Sequence, residues 1–255
     1  MTQVAYDFSG KTAFITGGAS GIGRACALAF AEAGANVVVA DIAVADAAAY
    51  EAEMVAAGAP AAVFTVADVR DETAVEAAVA LAAGRFGRID FALNNAGVEG
   101  PYGPIHELAA EDFDRLVSIN LRGVFLGVKH EVRHMLGHGG GVIVNTSSTA
   151  GVRAIPNVAI YSATKHGIVG LTKAAAAELA PSGIRINAVA PGPVATGLLS
   201  RMIEGHVPLE AIAQAVPLGR ISDPSEIAAA VLWLCSDASG FVTGAVLVAD
   251  GGLTL

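Results

Sequence analysis

The chain has 255 residues, 54% of them hydrophobic, and a net charge of −9. Its mean hydropathy of +0.58 does not make it a membrane protein, because no uninterrupted apolar run approaches the ~18 residues a spanning helix needs. The acidic balance and the lack of a lysine/arginine cluster argue against nucleic acid as a partner.

The opening "MTQVAYDFSGK" has neither a basic n-region nor an apolar h-region, so no secretory signal is expected. Cys26 and Cys235, the two cysteines, fit buried thiols in a reducing compartment, the cytoplasm. "TAFIT" (12–16) reads as a strand, and a glycine turn leads into a helix over 21–33. A strand follows at "NVVVAD" (36–41), then a helix near 43–57, a strand at "AAVFTVAD" (61–68), a helix near 71–86 and a strand at "RIDFALNN" (88–95). One long helical stretch fills 111–136, "GVIVNTSS" (141–148) is a strand, and a helix starts near Asn157. "IRINAVAP" (184–191) is a strand, 194–216 is irregular, a helix covers 224–235, and "GAVLVADGG" (244–252) is the last strand. Strands alternating with helices imply right-handed crossovers and a parallel sheet. With no linker or internal repeat, the expectation is an α/β fold over 1–255: one doubly wound Rossmann-type domain of about seven parallel strands.

"TGGASGIG" (16–23) lies between the first strand and the first helix, the context a dinucleotide site requires. Glycine allows close approach to a pyrophosphate, and the helix N-terminus offers unpaired N–H groups. Gly17, Gly21 and Gly23, with Ser20 and Ile22 between them, are the candidate contacts. A ligand-free turn is the plainer alternative, but Asp41 closes the next strand about 20 residues on, where an acid binds ribose hydroxyls. It would repel a 2′-phosphate, and neither Ser20 nor Ile42 supplies a positive charge for one. NAD is therefore expected rather than NADP.

Tyr161 and Lys165 are four apart in a helix and share a face. An ammonium about 4 Å from a phenol, at an effective dielectric near 20, contributes roughly 4 kcal/mol. That is about three pKa units, an upper figure, and it brings a tyrosine into the range of acid–base work. Taken alone, the pair reads better as a surface tyrosine beside a solvated lysine. Ser148, thirteen residues before Tyr161, ends a strand at the edge where open α/β sheets bind ligands; Ser147 and Thr149 rank behind it. "NNAG" (94–97) ends the strand beside the switch point.

The combination of "TGGASGIG", "NNAG", a serine thirteen residues before "YSATK", and "NAVAPGPVAT" resembles the short-chain dehydrogenase/reductase family over nearly the whole chain. The resemblance implies hydride transfer between nicotinamide and an alcohol or carbonyl carbon. It implies Tyr161 as general acid/base, Ser148 on the substrate oxygen, and Lys165 holding the nicotinamide ribose while lowering the tyrosine pKa. Asn120, in "VSINLRG", matches the asparagine that holds a relay water; a helix-interior amide bonding backbone is the other reading, and the two can hold together. Asp68 and Val69 match the adenine contacts, and Asn94, Ala96 and Gly97 the segment beside the adenosine ribose. Pro191, Gly192 and Val194 match the nicotinamide pocket, and Thr196 the phosphate side.

Substrate recognition is expected from 97–104, 149–157 and 194–216. There Val98, Val152, Leu198 and Met202, with Ile155, Leu199 and Ile203, are apolar. Arg153 and Arg201 do not form the cluster a phosphate or coenzyme A ester would require. A neutral secondary alcohol or ketone is expected, on a cyclic or aromatic frame, since the similarity is strongest to members acting on cyclic alcohols and diols. The resemblance also implies a homotetramer or dimer built on the helices near 111–136 and 157–180 and the last strand. No metal is expected: His130, His134 and His138 form a row, but no cysteine is near and Glu131 lies off that face. Two rivals are a catalytically silent NADH sensor and an enoyl reductase. The second usually spaces its tyrosine and lysine more widely than the three residues between Tyr161 and Lys165.

Overall fold

The β-branched runs form one sheet. A computed structural model describes residues 4–42 and 44–255 of the chain. The strands are β1 (Thr12–Thr16), β2 (Asn36–Asp41), β3 (Ala62–Val66), β4 (Phe91–Asn94), β5 (Gly141–Thr146), β6 (Ile184–Pro191) and β7 (Val246–Ala249). The sheet has seven strands in the order β3-β2-β1-β4-β5-β6-β7, and every neighbouring pair is parallel. The order reverses between β1 and β4, which opens a crevice at their carboxyl ends. β3, β4 and β5 stop short of the runs read from sequence. The polar residues at those ends leave the ladder and turn into loops.

The helices are α1 (Gly21–Glu32), α2 (Ala47–Ala57), α3 (Glu72–Phe86), α4 (Ala110–Leu116), α5 (Gly123–Leu136), α6 (Ala159–Leu179), α7 (Gly197–Ile203), α8 (Leu209–Ala215) and α9 (Pro224–Cys235). Side chains alternate across the strands, so each strand feeds two cores. Ile15 and Val39 pack with Phe30 of α1, Met54 of α2 and Val231 of α9. Phe14 and Val38 pack on the other face with Val79 of α3, Val128 of α5 and Ile168 of α6.

Several boundaries differ from the sequence reading for local reasons. The helix expected near 43 starts at Ala47, behind Asp46, whose side chain accepts from the Ala49 N–H; residue 43 lies outside the described residues. The single helix expected over 111–136 is α4 and α5 joined by a π-helical turn at Val117–Arg122. The helix expected near Asn157 starts at Ala159, because Asn157 sits at φ 65, a left-handed conformation that cannot continue into a helix. The irregular 194–216 contains two short helices, α7 and α8, the first capped by Thr196.

Behind the crevice the sheet carries a buried polar chain. Asn94 Nδ2 donates to Glu131 Oε2 at 2.9 Å and to Asn145 Oδ1 at 3.1 Å, and Asn145 Nδ2 donates to Thr172 Oγ1 at 3.0 Å. It ties β4 and β5 to α5 and α6. Burial pushes the Glu131 carboxyl up to about 8, against the opposing pull of the Asn94 bond. Glu131 is thus neutral at pH 7, and folding takes up a proton. Its contribution is complete below the usual carboxylate pKa of 4.5 and is lost as pH rises through about 8. Unfolding free energy should fall over that window with a slope approaching about 1.4 kcal/mol per pH unit. Glu131→Gln should remove that slope, as read by denaturant titration at pH 6 and pH 8; an unchanged slope in the variant would overturn the assignment.

Candidate active site

A cleft of about 900 Å³ runs along the carboxyl edge of the sheet. Its walls follow the strand order. The ends of β2 and β3 supply Asp41, Ile42, Asp68 and Val69. The β1 turn supplies Gly17, Ser20, Gly21 and Ile22. Beyond the switch point, β4, β5 and β6 contribute Ala96 and Gly97, then Ser148, then Pro191, Gly192, Val194 and Thr196.

The β1 turn is a cradle a side chain would fill. Gly17 has φ 66, and a Cβ there would meet the Ala96 Cα at 2.6 Å. α1 then begins at Gly21 without a side-chain cap from Ser20, which leaves its first-turn N–H groups for a ligand. Both Asp41 oxygens accept from backbone, Oδ2 from Ala19 N at 2.9 Å and Oδ1 from Ile42 N at 2.7 Å. This holds the carboxylate in a fixed orientation at the cleft wall. A close-approach turn, an uncapped helix end and a fixed acid on the next strand together fit a dinucleotide.

Three expected cofactor contacts differ in place or in state. Gly23 is absent from the wall: a Cβ there would lie 2.1 Å from the Gly17 carbonyl oxygen, so it packs α1 against the turn. Asn94 is the last residue of β4 and points into the buried polar chain; Asn95, one residue on, reaches the cleft and donates to the Gly17 carbonyl at 2.9 Å. The alternation of strand side chains decides between them. Asp68 is on the wall, but its carboxylate is gripped by Arg70, whose Nε and Nη2 lie 2.9 and 2.6 Å from Oδ2. The Arg70 hydrogen bond holds it below the usual carboxylate range. Asn120 lies in the π-helical turn, fully buried. Its Oδ1 accepts from Val98 N at 2.8 Å and its Nδ2 donates to Val98 O at 2.9 Å. The amide thus fixes the loop after β4, and its Nδ2 also donates to Thr164 Oγ1 of α6 at 3.5 Å. Asn95 and Arg70 were missed from sequence; only alternation at the end of β4 could have signalled the first.

Tyr161 and Lys165 rise from the first turns of α6 beside Ser148. Lys165 Nζ donates to the Thr146 carbonyl at 2.9 Å and lies 5.5 Å from the Tyr161 ring centroid. Ser147 Oγ donates to the Lys165 carbonyl at 3.0 Å, whereas Ser148 Oγ accepts from Ala150 N at 3.1 Å and keeps its own proton to donate. Burial lowers Lys165 to about 8. Burial also pushes the Tyr161 phenol up to about 12, helped by the Glu99 charge and opposed by the Ser148 hydroxyl. The expected three-unit lowering by Lys165 is therefore corrected: desolvation of a buried phenol outweighs a cation that is itself buried and bonded to a carbonyl.

At the substrate end, Val98, Leu198 and Met202 line the cleft with Ile155, Leu199 and Ile203. Val152 does not. It lies past the 3₁₀ turn at Thr149–Gly151 and is more than a third exposed, outside the cleft wall. Among the described residues no three metal-binding side chains come together, and no helix is long and apolar enough to cross a membrane.

Fold and cleft together define a nucleotide-dependent oxidoreductase. A family model described as "Enoyl-(Acyl carrier protein) reductase" matches residues 17–254. The chain is 44% identical to the 2,5-dichloro-2,5-cyclohexadiene-1,4-diol dehydrogenase of Sphingobium indicum, covering 97% of this chain and 98% of that one. It is 42% identical to the cyclohexanol dehydrogenase of an Acinetobacter species, over 97% and 96% of the two chains. Among solved structures, levodione reductase superposes with a TM-score of 0.92 at 42% identity, covering 96% of this chain and 98% of that one. A 3-ketoacyl-(acyl-carrier-protein) reductase from Brucella melitensis, complexed with NADH, does so with 0.91 at 37%, over 98% and 100%. The chain belongs to the short-chain dehydrogenase/reductase family.

Proposed function

We propose that the protein moves hydride between NAD(H) and a secondary alcohol or ketone on a small apolar ring, with Tyr161 as the general acid/base. The observation that carries this reading is one cleft with two halves. A glycine cradle and a fixed acid form one half, and a half-buried Ser148 beside buried Tyr161 and Lys165, with an apolar surround, forms the other. The relatives named for a cyclic alcohol and a cyclic diol support the ring-shaped substrate. Their names, with the three-residue spacing of Tyr161 and Lys165, favour alcohol or ketone chemistry over enoyl reduction.

Bound nicotinamide supplies a hydride acceptor or donor and, when oxidised, a positive charge. Ser148 Oγ–H donates to the substrate oxygen and holds it against the Tyr161 hydroxyl. In ketone reduction Tyr161, protonated at neutral pH, delivers its proton to that oxygen as the carbonyl carbon gains hydride. In alcohol oxidation the phenolate takes the proton back. Lys165, with one N–H used on Thr146, keeps two to donate to a ribose. Its charge and that of the oxidised ring together oppose the burial that otherwise keeps the phenol protonated.

NAD in preference to NADP is supported by Asp41, whose carboxylate would face a 2′-phosphate, and by a family structure complexed with NADH. A homotetramer is supported by half-exposed Phe113 and Phe125 on α4 and α5, and by fully exposed Phe241 just before the edge strand β7. Two buried, unpaired thiols suit the cytoplasm.

Tyr161→Phe should lower kcat by roughly 10²–10⁴-fold while a fluorescence titration shows NADH binding preserved; retention of most of the turnover would overturn the assignment. The wild-type kcat/KM with NADH should exceed that with NADPH by more than about tenfold, and Asp41→Ala should narrow the gap. Equal efficiencies in the wild type would remove Asp41 as the selector. Sedimentation velocity should give a species of four times the 25.5 kDa chain mass; a monomer alone would refute the assembly.

A further inference from the structure

At the substrate end of the cleft, α7 presents Arg201 on the same wall as Leu198 and Met202. Its guanidinium reaches the loop after β4: Nε donates to Glu99 Oε1 at 2.6 Å and Nη2 to Glu99 Oε2 at 3.1 Å. The carboxylate is the inner partner, with its side chain 22% exposed against 58% for the arginine. Burial pushes the Glu99 carboxyl up, but its bonds to Arg201, with the charges of Arg201 and Arg115, outweigh that and leave it below the usual range. Glu99 is therefore ionised at neutral pH, and its charge is felt at Tyr161. Arg115 pairs with Asp112 at 3.4 Å. A second arginine of the wall, Arg153, donates to the Leu253 carbonyl at 2.6 Å, and a third, Arg70, is held by Asp68.

We propose that Glu99 sets the charge class of substrate this cleft accepts: by occupying the Arg201 fork it admits neutral ring alcohols and turns away ring alcohols bearing a carboxylate. The inference rests on the reading of the cleft as a ring-alcohol site and names its specificity residue. A planar guanidinium matches a carboxylate through two parallel N–H···O bonds. Here that fork is already filled from within the chain. An incoming carboxylate meets an arginine whose Nε–Nη2 edge is taken and a like charge beside it, whereas a neutral hydroxyl or ketone needs no such edge and is not repelled. Removing the Glu99 charge leaves the same fork open on the cleft wall.

The test is calorimetric titration of cyclohexanecarboxylate into the wild type, Glu99→Gln and Glu99→Gln/Arg201→Gln, each saturated with NADH, with Glu99→Ala run in parallel. The single variants should bind the probe at least about tenfold more tightly than the wild type, and the double variant should lose that gain. No gain in the single variants, or a gain that survives loss of Arg201, would overturn the proposal. Oxidation of cyclohexanol by the wild type is measured alongside. A wild type inert toward ring alcohols would defeat the functional reading, while the calorimetric comparison would still decide the role of Glu99.

Discussion

The hydrogen bond from the Lys165 ammonium to the Thr146 carbonyl organises the cleft. It joins the end of β5 to the first turns of α6, and it lets a cation sit 4% exposed inside the wall. Such burial is tolerable only because the charge has a fixed carbonyl partner. The seam is tight on the other side as well. Ser147 bonds the Lys165 carbonyl, and a Cβ on Gly151 would come within 2.7 Å of that same oxygen. Tyr161 inherits its position from this seam, one helical turn before the lysine.

The same burial sets the acid–base character of the site. Desolvation pulls Lys165 down and pushes Tyr161 up, so their values move apart from nearly the same starting point. A phenol held protonated is a ready proton donor. Its use as a base depends on positive charge being added nearby, which links proton transfer to the redox state of the cofactor on the proposed reading. Ser148 contributes as the hydroxyl that lowers the phenol, with its Oγ held by the Ala150 N–H.

A second constraint lies behind the sheet. Asn94, Glu131, Asn145 and Thr172 form a buried polar chain across β4, β5, α5 and α6. It costs desolvation, yet it fixes the spacing of the strands whose ends form the cleft. Gly127 is needed for it: a Cβ there would stand 2.0 Å from Asn94 Oδ1. On the cleft side, Asn120 does the corresponding work from the π-helical turn, bonding both backbone groups of Val98. The loop it holds carries Glu99.

The sequence by itself determined the strands, the parallel sheet and the helix pairing of Tyr161 with Lys165, because alternation, glycine turns and i,i+4 spacing are local. β1, β2, β6 and α9 begin and end where their residues imply. Asp41 at the end of β2 was legible for the same reason. Tertiary structure alone decided that Asn95 and not Asn94 reaches the cleft, that the Asn120 amide meets the Val98 backbone, and that Val152 lies outside the cleft wall. It also decided how burial divides the ionisation of Tyr161 and Lys165, and that Glu99 meets Arg201 across 102 positions of chain. Each of these depends on which groups the fold removes from water and which distant backbone it brings alongside. Neither quantity is carried by neighbours in sequence.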